Sequence, residues 1–359
     1  MQPAPPDLVD WRLASRVGGR FAPSGPDTTP EEARQVVADL RRFAREAVPL
    51  VSEASGLSAP EADNTAVVDR QQWIDSNIAG IAQVVKPLAE SLAERSSSNA
   101  AVRGAGAAAS GAQLGAAMGW MSGKVLGQYE VFVPAGTQPR LLLVAPNIRA
   151  AESAMGVDPQ DFRLWVCLHE EAHRVQFGAT SWLADFFSAE VDTYLMAADV
   201  GTAEALRRLA ELVKTLARIL AGDPEASMVS AVQNEAQQEI FERLSALMAL
   251  LEGHAEWVMD AVGTSAIPSL PRLRAAFERR RAHPDGADGL VRRLMGMDAK
   301  LRQYSSGRAF VSEVVDSVGV DGFNRVWRSP EMLPSIAEIA DPGSWVERVH
   351  GPGQRALGS

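Results

Sequence analysis

The chain has 359 residues, 46% of them hydrophobic, with a formal net charge of −10 and a pI near 5.1. Length and apolar content suffice for a sizeable core, as one large domain or two ordinary ones, and the acidity argues against a general nucleic-acid or anionic-membrane binder. The single cysteine, Cys167, excludes an internal disulfide framework and fits a reducing compartment; an N-terminus without a basic start or an apolar signal core makes a cytoplasmic protein the expectation.

Residues 1–28 are rich in Pro and Gly and read as an arm packed on the body, with Trp11 and Phe21 as its anchors. Thr29, Pro30 and Glu32 form a capping box that opens a helix running to about residue 46. A second helix is expected over about 70–94, with Trp73, Ile74, Ile78, Ile81, Val84, Val85 and Leu88 on its apolar side. Residues 96–110 are rich in Ser, Ala and Gly and weakly specified. Gly111, Gly115, Gly119, Gly123 and Gly127 then recur at every fourth position, which on a helix makes a ridge without side chains. The stretch has too little Leu, Ile or Val to drive membrane insertion, so the ridge reads as a site of close packing against another soluble helix.

Tyr129–Val133 and Leu141–Val144, joined by residues 134–140, predict a β-hairpin. A helix over about 159–177 follows. Beyond it the sequence returns to helices at about 182–199, 203–221, 225–262, 269–282 and 287–303. Residues 29–359 thus read as a single, mainly α domain with a small hairpin or sheet. Arg272, Arg274, Arg279, Arg280, Arg281, Arg292 and Arg293 form the one basic concentration; without interleaved aromatics it reads as a solvated, salt-bridged face.

The helix over 159–177 carries the chemistry. It contains His169-Glu170-Glu171-Ala172-His173, a His-Glu-x-x-His sequence. On a wheel of about 100° per residue with Phe162 at zero, His169 falls at about 340° and His173 at about 20°, so both imidazoles can serve one ion. Glu170, at about 80°, can reach a water bound to that ion, while Glu171, at about 180°, points away. Cys167, at about 140°, is a packing residue. Asp158, Pro159 and Asp161 mark the helix start and Gly178 a stop, and apolar residues from Phe162 to Phe177 cover most of the circumference, as in a buried helix.

A catalytic zinc takes three protein ligands and leaves a position for water. The extended His-Glu-x-x-His-x-x-Gly-x-x-His pattern fails, because Gln176 stands where the glycine would be and Ala179 where the last histidine would be. On the later helix, Ile240, Leu244, Leu247, Met248, Leu251, Val258 and Val262 centre an apolar face and Glu252 lies at its edge, about 70° from the centre. Leu251-Glu252-Gly253-His254-Ala255-Glu256-Trp257 resembles the Glu-Gly-x-Ala-x-aromatic element of gluzincin metallopeptidases of the aminopeptidase type, which implies that Glu252 is the third ligand. In those enzymes the glutamate follows the second histidine much sooner, whereas here a long helical section separates Glu252 from His173. Glu190 and Asp192 stand at the shorter spacing, and His254, Glu256 and Glu235 are further alternatives.

The chain as a whole resembles a bacterial family of zincin-like hydrolases and zinc-dependent metalloproteases, some of whose members are associated with deazaflavin-coenzyme biosynthesis. The likeness runs nearly end to end, on Asp10-Trp11, Val68-Asp69-Arg70 with Trp73, Val125-Leu126-Gly127-Gln128-Tyr129, Pro146-Asn147, the helix with Val175-Gln176-Phe177, Leu251 to Ala255, Lys300-Leu301-Arg302-Gln303-Tyr304, Trp327 and Pro330-Glu331. It implies a zincin-like core within a large helical array and a Zn²⁺ cofactor.

The expected activity is a zinc hydrolase acting on a peptide or small amide. His169, His173 and Glu252 would hold the metal and Glu170 would act as general base. Tyr304 is favoured to stabilise the oxyanion, ahead of Tyr194 and His254, and the hairpin could align substrate by strand addition. The competing readings are a zincin-fold scaffold without peptidase activity and a hydrolase of small, coenzyme-related metabolites, although Gly104, Gly106 and Gly111 do not have the spacing of a dinucleotide fingerprint.

Overall fold

Helices begin where a side chain satisfies their first amides. The Thr29 N–H donates to Glu32 Oε2 at 2.8 Å and the Glu32 N–H to Thr29 Oγ1 at 3.2 Å, opening α2 (Pro30–Ser55) as the capping box predicts. Asp158 accepts from the amides of Gln160, at 2.9 Å, and Asp161, at 3.0 Å, ahead of α6 (Pro159–Ala179). The computed structural model describes residues 8–58, 64–95, 100–134, 136–197, 235–282 and 297–351. They are mainly helical, with one small sheet, and fall into two units. The helix expected over 203–221, and residues 287–296 with Arg292 and Arg293, lie outside the described residues.

The first unit comprises Met1–Val51, Ala59–Val175 and Gly263–Leu273. Its sheet has β3 (Leu141–Val144) between β1 (Thr65–Val68), parallel to it, and β2 (Gly127–Tyr129), antiparallel. All four residues of β3 are buried, which explains its unbroken apolar run. The hairpin forms with an earlier first strand than Tyr129–Val133: Gly127 pairs with Leu143 and Tyr129 with Leu141, and the Glu130 N–H donates to the Arg140 carbonyl at 2.9 Å. Beyond Glu130 the chain turns onto α3 (Arg70–Arg95), where a Cβ on Gly80 would lie 2.7 Å from the Phe132 carbonyl oxygen. β1 gave no sequence signal, because so short a strand shows no period of two and its pairing partner, Leu141–Val144, is far along the chain.

Within the segment read as an arm lies a helix, α1 (Trp11–Phe21), capped by Asp10, which accepts from the Leu13 N–H at 2.9 Å. It nests on the glycines of α4 (Ala100–Met121). A Cβ on Gly111 would lie 2.5 Å from the Asp10 carbonyl oxygen, on Gly115 2.4 Å from that of Ala14, and on Gly119 2.5 Å from that of Gly18. Close helix packing is therefore the ridge's role, but the ridge ends with α4: Gly123 lies in the following turn against Pro23, and Gly127 is in β2. Trp11 packs at the core's edge, whereas Phe21 is 61% exposed and is not an anchor. Among the described residues no helix is long and apolar enough to cross a membrane.

Two buried polar joints tie this unit together. Arg70 Nε donates to Asn147 Oδ1 at 2.7 Å, and Asn147 Nδ2 donates to the carbonyls of Ser122 and Val125 at 2.7 and 2.6 Å, joining the start of α3 to the start of α5 (Ala145–Met155) and the turn after α4. Arg163 of α6 donates to Asp39 of α2 at 2.7 Å and makes a two-pronged pair with Glu152 of α5 at 2.9 and 2.7 Å. A planar guanidinium satisfies both buried carboxylates at once.

The second unit comprises Ser52–Ser58, Gln176–Val262 and Arg274–Ser359. It contains α7 (Leu183–Met196), α8 (Glu235–Ala266, broken at Gly263), α10 (Met297–Phe323, broken at Gly319), two 3₁₀ turns, α11 (Ile336–Ala340) and α12 (Pro342–His350), with α9 (Leu270–Ala282) starting in the first unit. Gly253 and Gly307 let α8 and α10 touch backbone to backbone: a Cβ on Gly253 would lie 2.2 Å from the Gly307 carbonyl carbon. The core around this contact includes Leu250, Leu251, Phe310, Phe323, Trp327 and Trp345. The Trp182 indole donates to the Trp327 carbonyl and the Trp345 indole to that of Met332, at 2.9 and 2.8 Å.

Gly115→Val drives a branched side chain into the Ala14 carbonyl and is expected to cost about 1–3 kcal/mol or more, lowering Tm by several degrees, whereas Gly104→Ala, with nothing within 4 Å of the new Cβ, is expected to stabilise by about 0.5–1 kcal/mol; paired thermal melts check both. His350 packs beside Trp345 with ring centroids 5.9 Å apart, and burial, then the Arg325 charge, hold its pKa below the ordinary imidazole value. Folding favours the neutral ring, so this contribution is present above about pH 6.5 and is lost as pH falls through the lowered pKa. Urea unfolding from about pH 7 to about pH 5 should show that loss in the parent protein and a flatter profile in His350→Gln.

Candidate metal centre

α6 places its chemistry by local geometry. His169 and His173, one turn apart, bring their Nε2 atoms to 3.2 Å with the rings nearly perpendicular at 88°. Two nitrogens each about 2.0–2.1 Å from a tetrahedral ion stand about 3.3 Å apart, so the pair has the bite of a zinc site. Both rings are half-buried. Around them the helix is dry: Phe162, Val166, Leu168, Ala172 and Val175 are buried, and Cys167 is fully enclosed, its thiol pKa raised by burial first and then by the charges of Glu170, Glu171 and Glu46.

Glu170 and Glu171 are both buried but differently treated. Glu171 is held by Arg174, whose Nε donates to Glu171 Oε2 at 2.7 Å. Glu170 lies under β2. A Cβ on Gly127 would come within 2.5 Å of Glu170 Cγ and 2.6 Å of its Cδ, so the strand backbone rests directly on the carboxylate stem.

The alternation of β2 explains how it comes to lie there. Gln128 accepts from the Trp73 indole at 2.8 Å and donates to Asn77 Oδ1 at 2.9 Å, and Glu130 is paired with Arg140 at 2.7 Å. The side chain of Gln128 thus fastens the strand to α3, while Gly127 and Tyr129 fall on the opposite face, toward α6. Tyr129 is half-buried beside the Arg174–Glu171 pair; burial raises its pKa, with Arg174 opposing and Glu171 adding to the shift. Gly127 is a site residue that sequence reasoning missed. It stood at the end of the four-residue glycine series and within the stretch that carries the family likeness, and neither signal assigned it to Glu170.

Among the described residues, one group of at least three His, Cys, Asp or Glu side chains could hold a metal ion: His169, His173 and Glu252, with one ligand atom from each, all within 4.8 Å of one another. Glu252, half-buried on α8, is flanked by Leu251 and Gly253, which are buried in the contact with α10. The donor set of two imidazoles and one carboxylate is the chemistry of a catalytic zinc site. The alternatives are employed elsewhere or stand outside that group. Glu190 is paired with Arg243 at 2.9 Å, Asp192 and Glu256 are not members, and His254 is buried among Trp257, Phe323 and Trp327 with ring centroids at 6.2, 5.4 and 5.3 Å. Tyr304 is in α10 and Glu235 in α8, but their side chains lie outside the described residues. Tyr194 is half-buried near the end of α7.

Comparison with known proteins follows the same line. A crystal structure from Chloroflexus aurantiacus, of a proposed hydrolase with a novel fold, is similar over 96% of this chain and 100% of that one, with 29% identity and a TM-score of 0.67. No curated protein matches. The profile of the zincin-like metallopeptidases matches residues 9–346, almost the whole chain, and the protein belongs to that family.

Proposed function

We propose that the protein is a zinc-dependent hydrolase that cleaves peptide or related amide bonds. The observation that carries this reading is a buried glutamate, Glu170, one residue from the first of two converging imidazoles and covered by an edge strand. His169, His173 and Glu252 hold the metal. Zinc bound there supplies Lewis acidity toward the scissile carbonyl and toward water. Glu170 takes the proton of the attacking water and delivers it to the leaving amine, a role that needs a carboxylate held still and shielded from bulk solvent. Tyr304 donates to the developing oxyanion.

β2 is the edge of the sheet beside Glu170. Gln128 faces β3 for ladder hydrogen bonding, with Leu126 and Glu130 on either side bonded to Val144 and Arg140, so the main-chain groups of Gly127 and Tyr129 are directed outward. An extended substrate aligned on that edge would pass beside Glu170. A scaffold function would have no use for a buried carboxylate at that position, whereas hydrolysis requires one. The single, buried Cys167 supports a reducing, cytoplasmic setting.

Purified protein is expected to contain near-stoichiometric zinc, and His169→Ala and Glu252→Ala are each expected to lose it; a parent protein without bound zinc would remove the metal assignment. Glu170→Gln should keep the zinc and lower cleavage of a peptide library by about 10²–10⁴-fold, and equal cleavage by parent and variant would remove Glu170 from the reaction. Tyr304→Phe in the same assay tests the oxyanion assignment. Gly127→Ala displaces the Glu170 stem and is expected to cut turnover by about 10–100-fold with unchanged zinc content, as measured by single-turnover cleavage and metal analysis.

A further inference from the structure

Gln176 is the least explained polar residue of α6. It follows His173 by three positions, stands where the extended zincin pattern would place a glycine, and is wholly buried. Its amide nitrogen reaches two acceptors, the Leu251 carbonyl at 2.9 Å and His254 Nδ1 at 2.9 Å. A carbonyl only accepts, so the NH₂ end of the amide must face Leu251. The second N–H then meets Nδ1 of His254, which accepts it, leaving the ring proton on Nε2. Both protons of one amide are used, one on each side of Glu252.

The acceptors are themselves held. The His254 ring is stacked with Phe323 and Trp257, at interplanar angles of 15° and 18°, and meets the Trp327 ring at 67°. At the same level Gly253 abuts the Gly307 backbone, so α8 cannot roll about its axis without a clash. Glu252 sits between these restraints, on a stretch of helix that cannot slide or turn relative to Gln176. Gln176 in turn is one helical turn from His173, a rise of about 4.5 Å along a continuous helix.

We propose that Gln176 is a positioning residue for the metal centre: its two hydrogen bonds set the stretch of α8 that carries Glu252 in register with the histidines of α6. The inference rests on the zinc reading above. It also accounts for how a ligand so distant from His173 along the chain can be placed to the tolerance that coordination requires, since a buried two-pronged contact acts whatever the length of chain between.

The test is zinc affinity, measured on the full-length protein by competition with a chromophoric chelator at fixed pH, alongside thermal unfolding of the metal-free protein. Gln176→Met keeps the volume and removes both donors; His254→Phe keeps the stacked ring and removes one acceptor. Zinc binding weakened by about 10–100-fold in Gln176→Met, and by a smaller factor in His254→Phe, with both metal-free variants folded, is the expected result. Wild-type affinity in folded Gln176→Met overturns the proposal, and if that variant does not fold, wild-type affinity in His254→Phe does so. Failure of both metal-free variants to fold also overturns it, because Gln176 would then hold the fold and not the metal. His169→Ala separates the two levels: if it binds zinc as the parent does, the metal reading itself fails, whereas loss of zinc there with no loss in folded Gln176→Met sinks only the positioning role.

Discussion

A helix that runs through a dry interior while carrying guanidinium groups, carboxylates, imidazoles and an amide must find a partner for nearly every one of them. α6 does so residue by residue. Arg163 is satisfied by Asp39 and Glu152, Glu171 by Arg174, and Gln176 by Leu251 and His254. An unpaired buried charge costs several kcal/mol, so each of these contacts constrains the neighbours that supply it. α2 and α5 are fixed against α6 through Arg163, and α8 is fixed against its last turn through Gln176.

The histidines and Glu170 belong to the same buried helix. His169 and His173 turn their Nε2 atoms toward each other at 3.2 Å, an arrangement that a shared cation satisfies well. Glu170 is covered by backbone where a side chain would be expected.

Glycine recurs wherever two backbones must approach closely. Gly115 admits α1 against α4, Gly127 admits β2 against Glu170, and Gly253 with Gly307 admits α10 against α8. In none of these does a left-handed backbone explain the residue; the absence of a Cβ does. The sequence periodicity made the first of them legible, because Gly111, Gly115 and Gly119 repeat on one helix face. Gly127 continued that spacing by accident of numbering and belongs to a strand.

Local chemistry was readable in advance. The capping box at Thr29 and Glu32, the extent of α3, and the placing of His169, Glu170 and His173 on one helix all depend on residues within a turn or two of each other, and the geometry of the helical turn dictates them. What the tertiary structure alone decided is non-local: that Thr65–Val68 joins the sheet, that α1 nests on the glycines of α4, that Gly253 meets Gly307, and that Gly127 lies on Glu170. Each of these follows from packing between segments far apart in the chain, where spacing carries no information and only the folded contact selects the partner.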